Sequence, residues 1–326
     1  MKPTPGDVHV NRPLSNVSVA YIQSAEGFVA DRVFPNIPSD SQSDLYYRYN
    51  TADFNRDEMQ ERAPGTESAG GGFEVATDPF FCRVHAFHHD IPDQRRANTD
   101  TQMAPDREAT EFVTMKGLIK RESQFANKFL KTGVWSRDVS GAAAAGADEV
   151  VYWDDDNSDP IKDIRREATR QHQLTGIRPN TLCLGQVVLD ALLDHPDIID
   201  RLKYGQTPGA AADVSLTDLA ALFKVPRIFV MSAVRNDAPE GKPANNVFIG
   251  GKNALLCHSA TSPGLMTPSA GYTFSWRGFL GASAMGGRIK KFRMEHLESD
   301  RVEIQMAFDQ RLVGKDLGTL FAGIVQ

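Results

Sequence analysis

Between residues 105 and 132 the hydrophobic positions recur every three or four residues. Phe112, Met115, Ile119, Ala126 and Phe129 are spaced for one face of a helix, and Leu118, Phe125 and Leu130 widen the stripe. Asp106 is placed to cap the start, and Gly133 to stop the end. At about 1.5 Å per residue such a helix is roughly 40 Å long, a beam rather than an average helix. Near the C-terminus the period changes to two. Val302, Ile304, Met306 and Phe308 alternate with polar residues, as do Phe292, Met294 and His296. With Glu298-Ser299-Asp300 as the turn, this predicts a long amphipathic hairpin with one buried face.

The middle of the chain mixes both periods. Helices are predicted at 161–174, 186–193, 197–203 and 216–223, and strands at 181–185, 227–234, 246–250, 255–258 and 272–277. This reads as an α/β unit inside an α+β protein. The N-terminal part is different. Residues 1–38 form a polar arm with sparse apolar residues and a short helix at 24–30. Pro35 and Pro38 then force 34–38 into an extended path. Leu45 to Tyr49 is a short aromatic strand, 73–76 a returning one, and between them lie a charged run and a glycine-rich tract. Loops longer than about 15 residues are uncommon in compact domains unless they serve a function.

Composition narrows the choice. The 326 residues carry 36 Lys plus Arg against 42 Asp plus Glu, a net charge of −6. Proteins that grip a nucleic acid backbone tightly carry a basic surplus, so sequence-specific DNA binding is not expected. No apolar run approaches the length of a membrane span, and residues 1–10 lack the pattern of a signal peptide. The three cysteines, Cys82, Cys183 and Cys257, are distant from one another and fit buried thiols better than a disulfide framework.

Candidate chemistry is sparse. Cys82, His85, His88, His89 and Asp90 are all metal-ligand types, but their spacing matches no common zinc pattern, and an alternating strand would split them between two faces. Gly250-Gly251-Lys252 lacks the flanking residues of a phosphate loop and reads as a turn. Asp154-Asp155-Asp156 reads as a solvated linker. Arg95-Arg96, Arg165-Arg166 and Lys290-Lys291 are short basic pairs, ordinarily solvated, any one of which suits a surface facing nucleic acid. No catalytic, cofactor or metal residues are therefore expected, and no cofactor; an enzyme built on Cys82, His85 and His88 is the outlying alternative.

The arm and the excursion together hold aromatic residues that an isolated subunit would leave exposed, and such area marks protein–protein contact. Phe34, Tyr47, Tyr49, Phe54, Arg56 and Phe73 are the expected inter-subunit contacts. The order of elements then resembles a known family. Arm, extended loop, long spine helix, α/β domain and terminal hairpin are similar to a tailed-phage major capsid protein of the Hong Kong 97-like fold. The wording of Phe28 to Pro38, of Tyr47-Arg48-Tyr49 with 53–57, of Gly176 to Leu182 and of Asp309 to Val325 is similar too. The resemblance implies an N-arm at 1–38, an extended loop at 39–81, a peripheral domain with the spine helix at 82–159, an axial domain at 160–270, and a hairpin at 271–326 completing the peripheral domain. It also implies self-assembly through hexamers and pentamers into an icosahedral shell around double-stranded DNA, held without sequence specificity. Portal, scaffolding and cement proteins would be partners, no membrane would be involved, and the virion, assembled in the bacterial cytoplasm, would be the location. Only a short polar stretch precedes the arm, so a separate scaffold is expected. No Lys lies between 39 and 81, so that loop supplies no lysine for a covalent crosslink. An encapsulin-like nanocompartment shell is the alternative with the same fold.

Overall fold

The computed structural model describes residues 26–49, 51–98, 104–203, 214–264, 266–281 and 287–326. The first 25 residues of the expected arm, with residues 24 and 25 of the expected helix at 24–30, lie outside the described residues; of residues 26–30 only Ala30 is helical, so the helix begins later than expected. Two sheets organise the rest. The first contains β1 (Asn36–Ser39), β4 (Arg83–Pro92), β12 (Gly271–Trp276), β13 (Gly287–Met294) and β14 (Ser299–Leu312), in the order β1-β12-β14-β13 with β4 also paired to β14. The second contains β5 (Asp138–Ala142), β6 (Glu149–Val151), β7 (Thr181–Gly185), β8 (Arg227–Met231), β11 (Ala254–Cys257) and β15 (Gly318–Ala322), in the order β6-β5-β15-β11-β7-β8. A separate ribbon pairs β2 (Ser43–Tyr49) with β3 (Val75–Phe81), and β9 (Val234–Asn236) pairs with β10 (Asn246–Phe248).

Helices cover these sheets. Short turns of helix are α1 (Ala30–Val33), α2 (Thr51–Phe54), α3 (Asp93–Ala97) and, after β12, α9 (Arg277–Leu280). The spine is α4 (Pro105–Phe129). On the second sheet lie α5 (Pro160–Thr175), α6 (Gln186–Asp194), α7 (Pro196–Lys203) and α8 (Leu216–Phe223). The expected hairpin is present: Val302, Ile304, Met306 and Phe308 of β14 are all buried, packed with Val113 of the spine. The turn comes slightly earlier than expected, with Glu298 in the left-handed region at φ 43°.

The expected domain boundaries at 160 and 271 do not follow the sheets. Strands β5 and β6, counted with the peripheral part, and β15, counted with the terminal hairpin, all belong to the second sheet, where β15 lies between β5 and β11. Strand order in a sheet is a long-range property. The short runs of β5 and β6 carry no alternation that assigns them to one sheet.

The spine helix is also rotated from the expected stripe. Its buried face comprises Ala109, Val113, Gly117, Leu118, Phe125, Ala126 and Phe129, with the polar Thr110, Thr114, Arg121 and Glu122 among them. Phe112 is exposed, and Met115 and Ile119 are only half-buried. Two local causes explain this. The hydroxyls of Thr110 and Thr114 donate back to the carbonyls of Asp106 and Thr110 at 2.7 Å, which satisfies them inside the core. Gly117 lets the helix close onto β14, since a β-carbon there would sit 2.9 Å from Ile304 Cδ1 and 2.8 Å from Met306 Sδ. Nor does Asp106 cap the helix. Pro105 opens it and Ala104 stands at the cap, while the Asp106 carboxylate takes ion pairs from Arg96 and Lys291, both at 2.9 Å.

Phe34 is fully buried in its own subunit, which corrects the expectation that it meets a neighbour. Its ring packs on Phe125 at 5.1 Å, Phe129 at 4.7 Å and Trp135 at 6.5 Å. The physical reason is local. Helix α1 turns the chain so that Val29, Ala30, Val33 and Phe34 close onto the spine as one apolar face. Gly271 leaves the room, because a β-carbon at that position would collide with the Phe34 ring. Truncation to Phe34→Ala is expected to destabilise the unassembled chain by about 3–5 kcal/mol, the range for a buried aromatic. Chemical denaturation should show a lowered midpoint with an unchanged slope.

Candidate assembly interface

The β2–β3 ribbon is packed on one face and exposed on the other. Its register pairs Ser43 with Phe81, Leu45 with Pro79, Tyr47 with Thr77 and Tyr49 with Val75. Side chains alternate across a strand, so Tyr46 and Phe80 share the opposite face. That face is rooted on the subunit's own first sheet. Phe80 stacks on Phe274 of β12 with centroids 4.2 Å apart and planes 3° from parallel, and Tyr46 stacks on the same ring at 5.5 Å. The Tyr46 hydroxyl donates to the Leu312 carbonyl at 3.4 Å, and the Cys82 thiol to the Phe274 carbonyl at 3.5 Å.

The other face is mostly apolar, with Ser43 and Thr77 among its residues, and it is uncovered. Leu45 and Tyr47 are each 58% exposed, and Val75, Pro79 and Phe81 are exposed beside them. Toward the tip, Tyr49, Phe54 and Phe73 gather into a small aromatic cluster with centroids 5.4–6.1 Å apart. Phe54 and Phe73 remain half-exposed. Asn55 comes near Gly176 at the end of α5, close enough to meet a β-carbon there at 3.7 Å. Of the expected contact residues, then, Tyr47, Tyr49, Phe54 and Phe73 lie together on the ribbon and its tip. Arg56 is also at the tip, but its guanidinium already pairs with Glu58 at 3.0 Å and Asp53 at 3.6 Å, so it braces its own loop. Leu45, Val75 and Phe81 were not among the expected contacts. The alternation of 43–49 carries a signal for Leu45, but only the pairing with β3 shows that Val75 and Phe81 share its exposed face.

The Cys82–Asp90 cluster does not converge. Cys82 is buried, and burial pushes its thiol up to about 12. Asp90 is taken by Arg301 through two bonds of 2.7 and 2.8 Å, which hold its carboxyl below the usual range. Desolvation, and then the nearby Lys120, Arg83 and Lys128, lower His85. Among the described residues no group of three potential ligands is close enough to hold a metal. Cys183 and Cys257 are buried free thiols, raised by desolvation.

One buried carboxylate ties the arm to the spine. Glu122 accepts from the backbone N–H groups of Val29 and Ala30, each at 3.0 Å, at the start of α1. Beside it Arg121 pairs with Asp31 at 2.5 Å. Desolvation outweighs these bonds and raises the Glu122 carboxyl to about 7. A carboxyl raised in the folded state binds more protons there than when unfolded, so this group favours the fold most at low pH. That contribution is lost as pH rises from 4.5 through about 7. Thermal unfolding of the unassembled chain should therefore show a component that declines across this window. Glu122→Gln should flatten that component, and an unchanged pH slope in the variant would count against the assignment.

No family model matches the chain. It is similar to the major capsid protein of Pseudomonas phage JBD67, 24% identical over 318 residues that cover 97% of each chain. Among solved structures it is similar to a phage-related protein of Bordetella bronchiseptica, with a TM-score of 0.71 at 20% identity, covering 97% of this chain and 98% of that one. The encapsulin SrpI of Synechococcus elongatus shares the architecture at a TM-score of 0.52 and 10% identity, over 93% of this chain and 90% of that one. The chain has the Hong Kong 97-like capsid fold and is similar over 97% of its length to a phage major capsid protein.

Proposed function

We propose that the chain is the repeating subunit of an icosahedral tailed-phage shell, and that its ribbon is the overlap between neighbours. The observation that carries this is the uncovered apolar face of β2–β3 on a ribbon whose other face is already rooted. Interfaces of standard size bury about 1,600 Å² in total, and several modest contacts per subunit add through multivalency. Hexamers and pentamers are the self-associated forms, portal, scaffolding and cement proteins are the further partners, and double-stranded DNA is the content. The role is structural, and the place is the virion, assembled in the host cytoplasm. A nanocompartment shell shares the architecture; the full-length similarity to a phage capsid protein favours the phage reading.

Purified protein imaged by negative-stain microscopy should show closed shells. Tyr47→Ser combined with Val75→Ser should leave the unfolding midpoint of the subunit nearly unchanged, since both residues are exposed, and should abolish shells. Shells of normal yield from that variant would show that the ribbon face is not the overlap. Excising 50–74 is a cleaner deletion than removing the whole loop, because Tyr46 and Phe80 cover Phe274. Boiled, detergent-treated particles should run at the 35.9 kDa monomer mass, as a loop without lysine predicts. A ladder of covalent oligomers would refute a non-covalent lattice.

A further inference from the structure

A basic groove lies along the outer face of α5. It is an open depression of about 720 Å³, lined by Lys162, Arg165, Arg166 and Arg170 of that helix and by Arg201 of α7. The spacing of the four α5 residues places them on neighbouring positions of one helical face. The chain as a whole is acidic, so the concentration of five cations here runs against its average.

One carboxylate, Asp159, shares the lining at the end of the groove, and two others, Asp163 and Glu167, lie beneath it. Glu167 is buried at 1% exposure, with Arg166 3.4 Å and Arg170 3.7 Å away and Arg137 at 3.4 Å behind it. Asp163 is also largely covered and stands 3.5 Å from Arg166. Asp159 caps the helix by accepting from the Lys162 N–H, and its second oxygen is 3.7 Å from Arg201. The guanidinium side chains of Arg166, Arg170 and Arg201 nevertheless remain 51%, 47% and 44% exposed. Arg165 is held from a different side, donating through Nε and Nη2 to the Leu222 carbonyl at the end of α8. The acids thus hold one side of each guanidinium group, while about half of each of these arginine side chains still faces water. Less side-chain freedom is then lost when an anion arrives.

We infer that this groove seats the phosphodiester backbone of the packaged duplex, and that the α5 face of the subunit therefore turns toward the interior of the shell. The inference rests on the capsid reading and adds the surface that meets the cargo. Guanidinium groups match phosphate oxygens in geometry, and such contacts carry no sequence preference. The remaining acidic surface opposes the duplex, so the contact is weak per subunit and gains its effect from repetition.

The test uses the unassembled chain and a fluorescent duplex of about 25 base pairs, followed by anisotropy between about 50 and 200 mM salt. Log affinity should fall linearly with log salt, by about 0.9 in slope for each phosphate contacted. Lys162→Gln with Arg166→Gln and Arg170→Gln should weaken binding at least tenfold and reduce the slope. Lys162→Gln with Arg201→Gln leaves Glu167 its partners and should weaken it in the same sense if the triple variant folds poorly. A charge-matched control, Lys116→Gln with Lys120→Gln and Lys131→Gln, should bind close to wild type. Equal loss in the control, salt-independent binding, or no duplex binding at all would overturn the inference. So would a peptide of residues 50–74 that displaces the duplex from wild type, because the groove would then belong to a neighbour's acidic loop. Microscopy of the same preparations separates the two readings. Shells formed by a wild-type chain that binds no duplex before assembly refute only the groove; no shells under any condition refute the capsid.

Discussion

A two-stranded ribbon carries side chains on both faces, and Tyr46 and Phe80 commit only one of them to Phe274. The opposite face holds Leu45, Tyr47, Val75, Pro79 and Phe81 in water. An isolated ribbon of two strands is marginal in water, and three strands or a packing partner are needed for stability. Rooting supplies half of that support. The proposed overlap with a neighbouring copy would supply the other half. The ribbon also presents unpaired strand edges among the described residues, which a neighbour can use through main-chain bonds as well as through side chains.

Such a ribbon can transmit force only if its root is stiff, and several long-range ties provide this. Strand β1 pairs in parallel with β12, the strand that carries Phe274. Phe34, just before β1, is wedged among Phe125, Phe129 and Trp135. Glu122 then closes the start of α1 onto the spine. Further along, β15 inserts into the middle of the second sheet, so the last residues of the chain join the body that α5 to α8 cover. The chain therefore crosses between the two sheets at the spine, between β11 and β12, and between β14 and β15.

Much of this was legible in the sequence, and the failures have identifiable causes. The two periodicities located the spine and the hairpin, because each element buries a face wide enough to leave a repeating signal. The turn of the spine about its axis was not legible. Thr110, Thr114, Arg121 and Glu122 look like surface residues until back-bonding to the preceding turn, the Asp31 ion pair and the α1 N–H groups are seen to satisfy them. Phe34 was misplaced for the same kind of reason. A phenylalanine in a polar stretch reads as exposed unless its cavity, made by residues over ninety positions away, is known. At the tip, Tyr49, Phe54 and Phe73 could be grouped in advance, yet Arg56 could not be assigned. Whether a guanidinium reaches outward or folds back on Asp53 and Glu58 depends on loop geometry that composition does not encode.

The two surfaces singled out by the structure should respond to salt in opposite directions. The ribbon face is apolar, with no lysine in the loop, and its burial is driven by removing hydrocarbon from water. Salts excluded from protein surfaces strengthen that effect. The α5 groove works by displacing counterions, which salt weakens steeply. Lattice and cargo contact are thus chemically separate, and the grip on the cargo can be weakened without loosening the wall. On the proposed reading, this independence follows from placing aromatics on the ribbon and guanidinium groups beside buried acids.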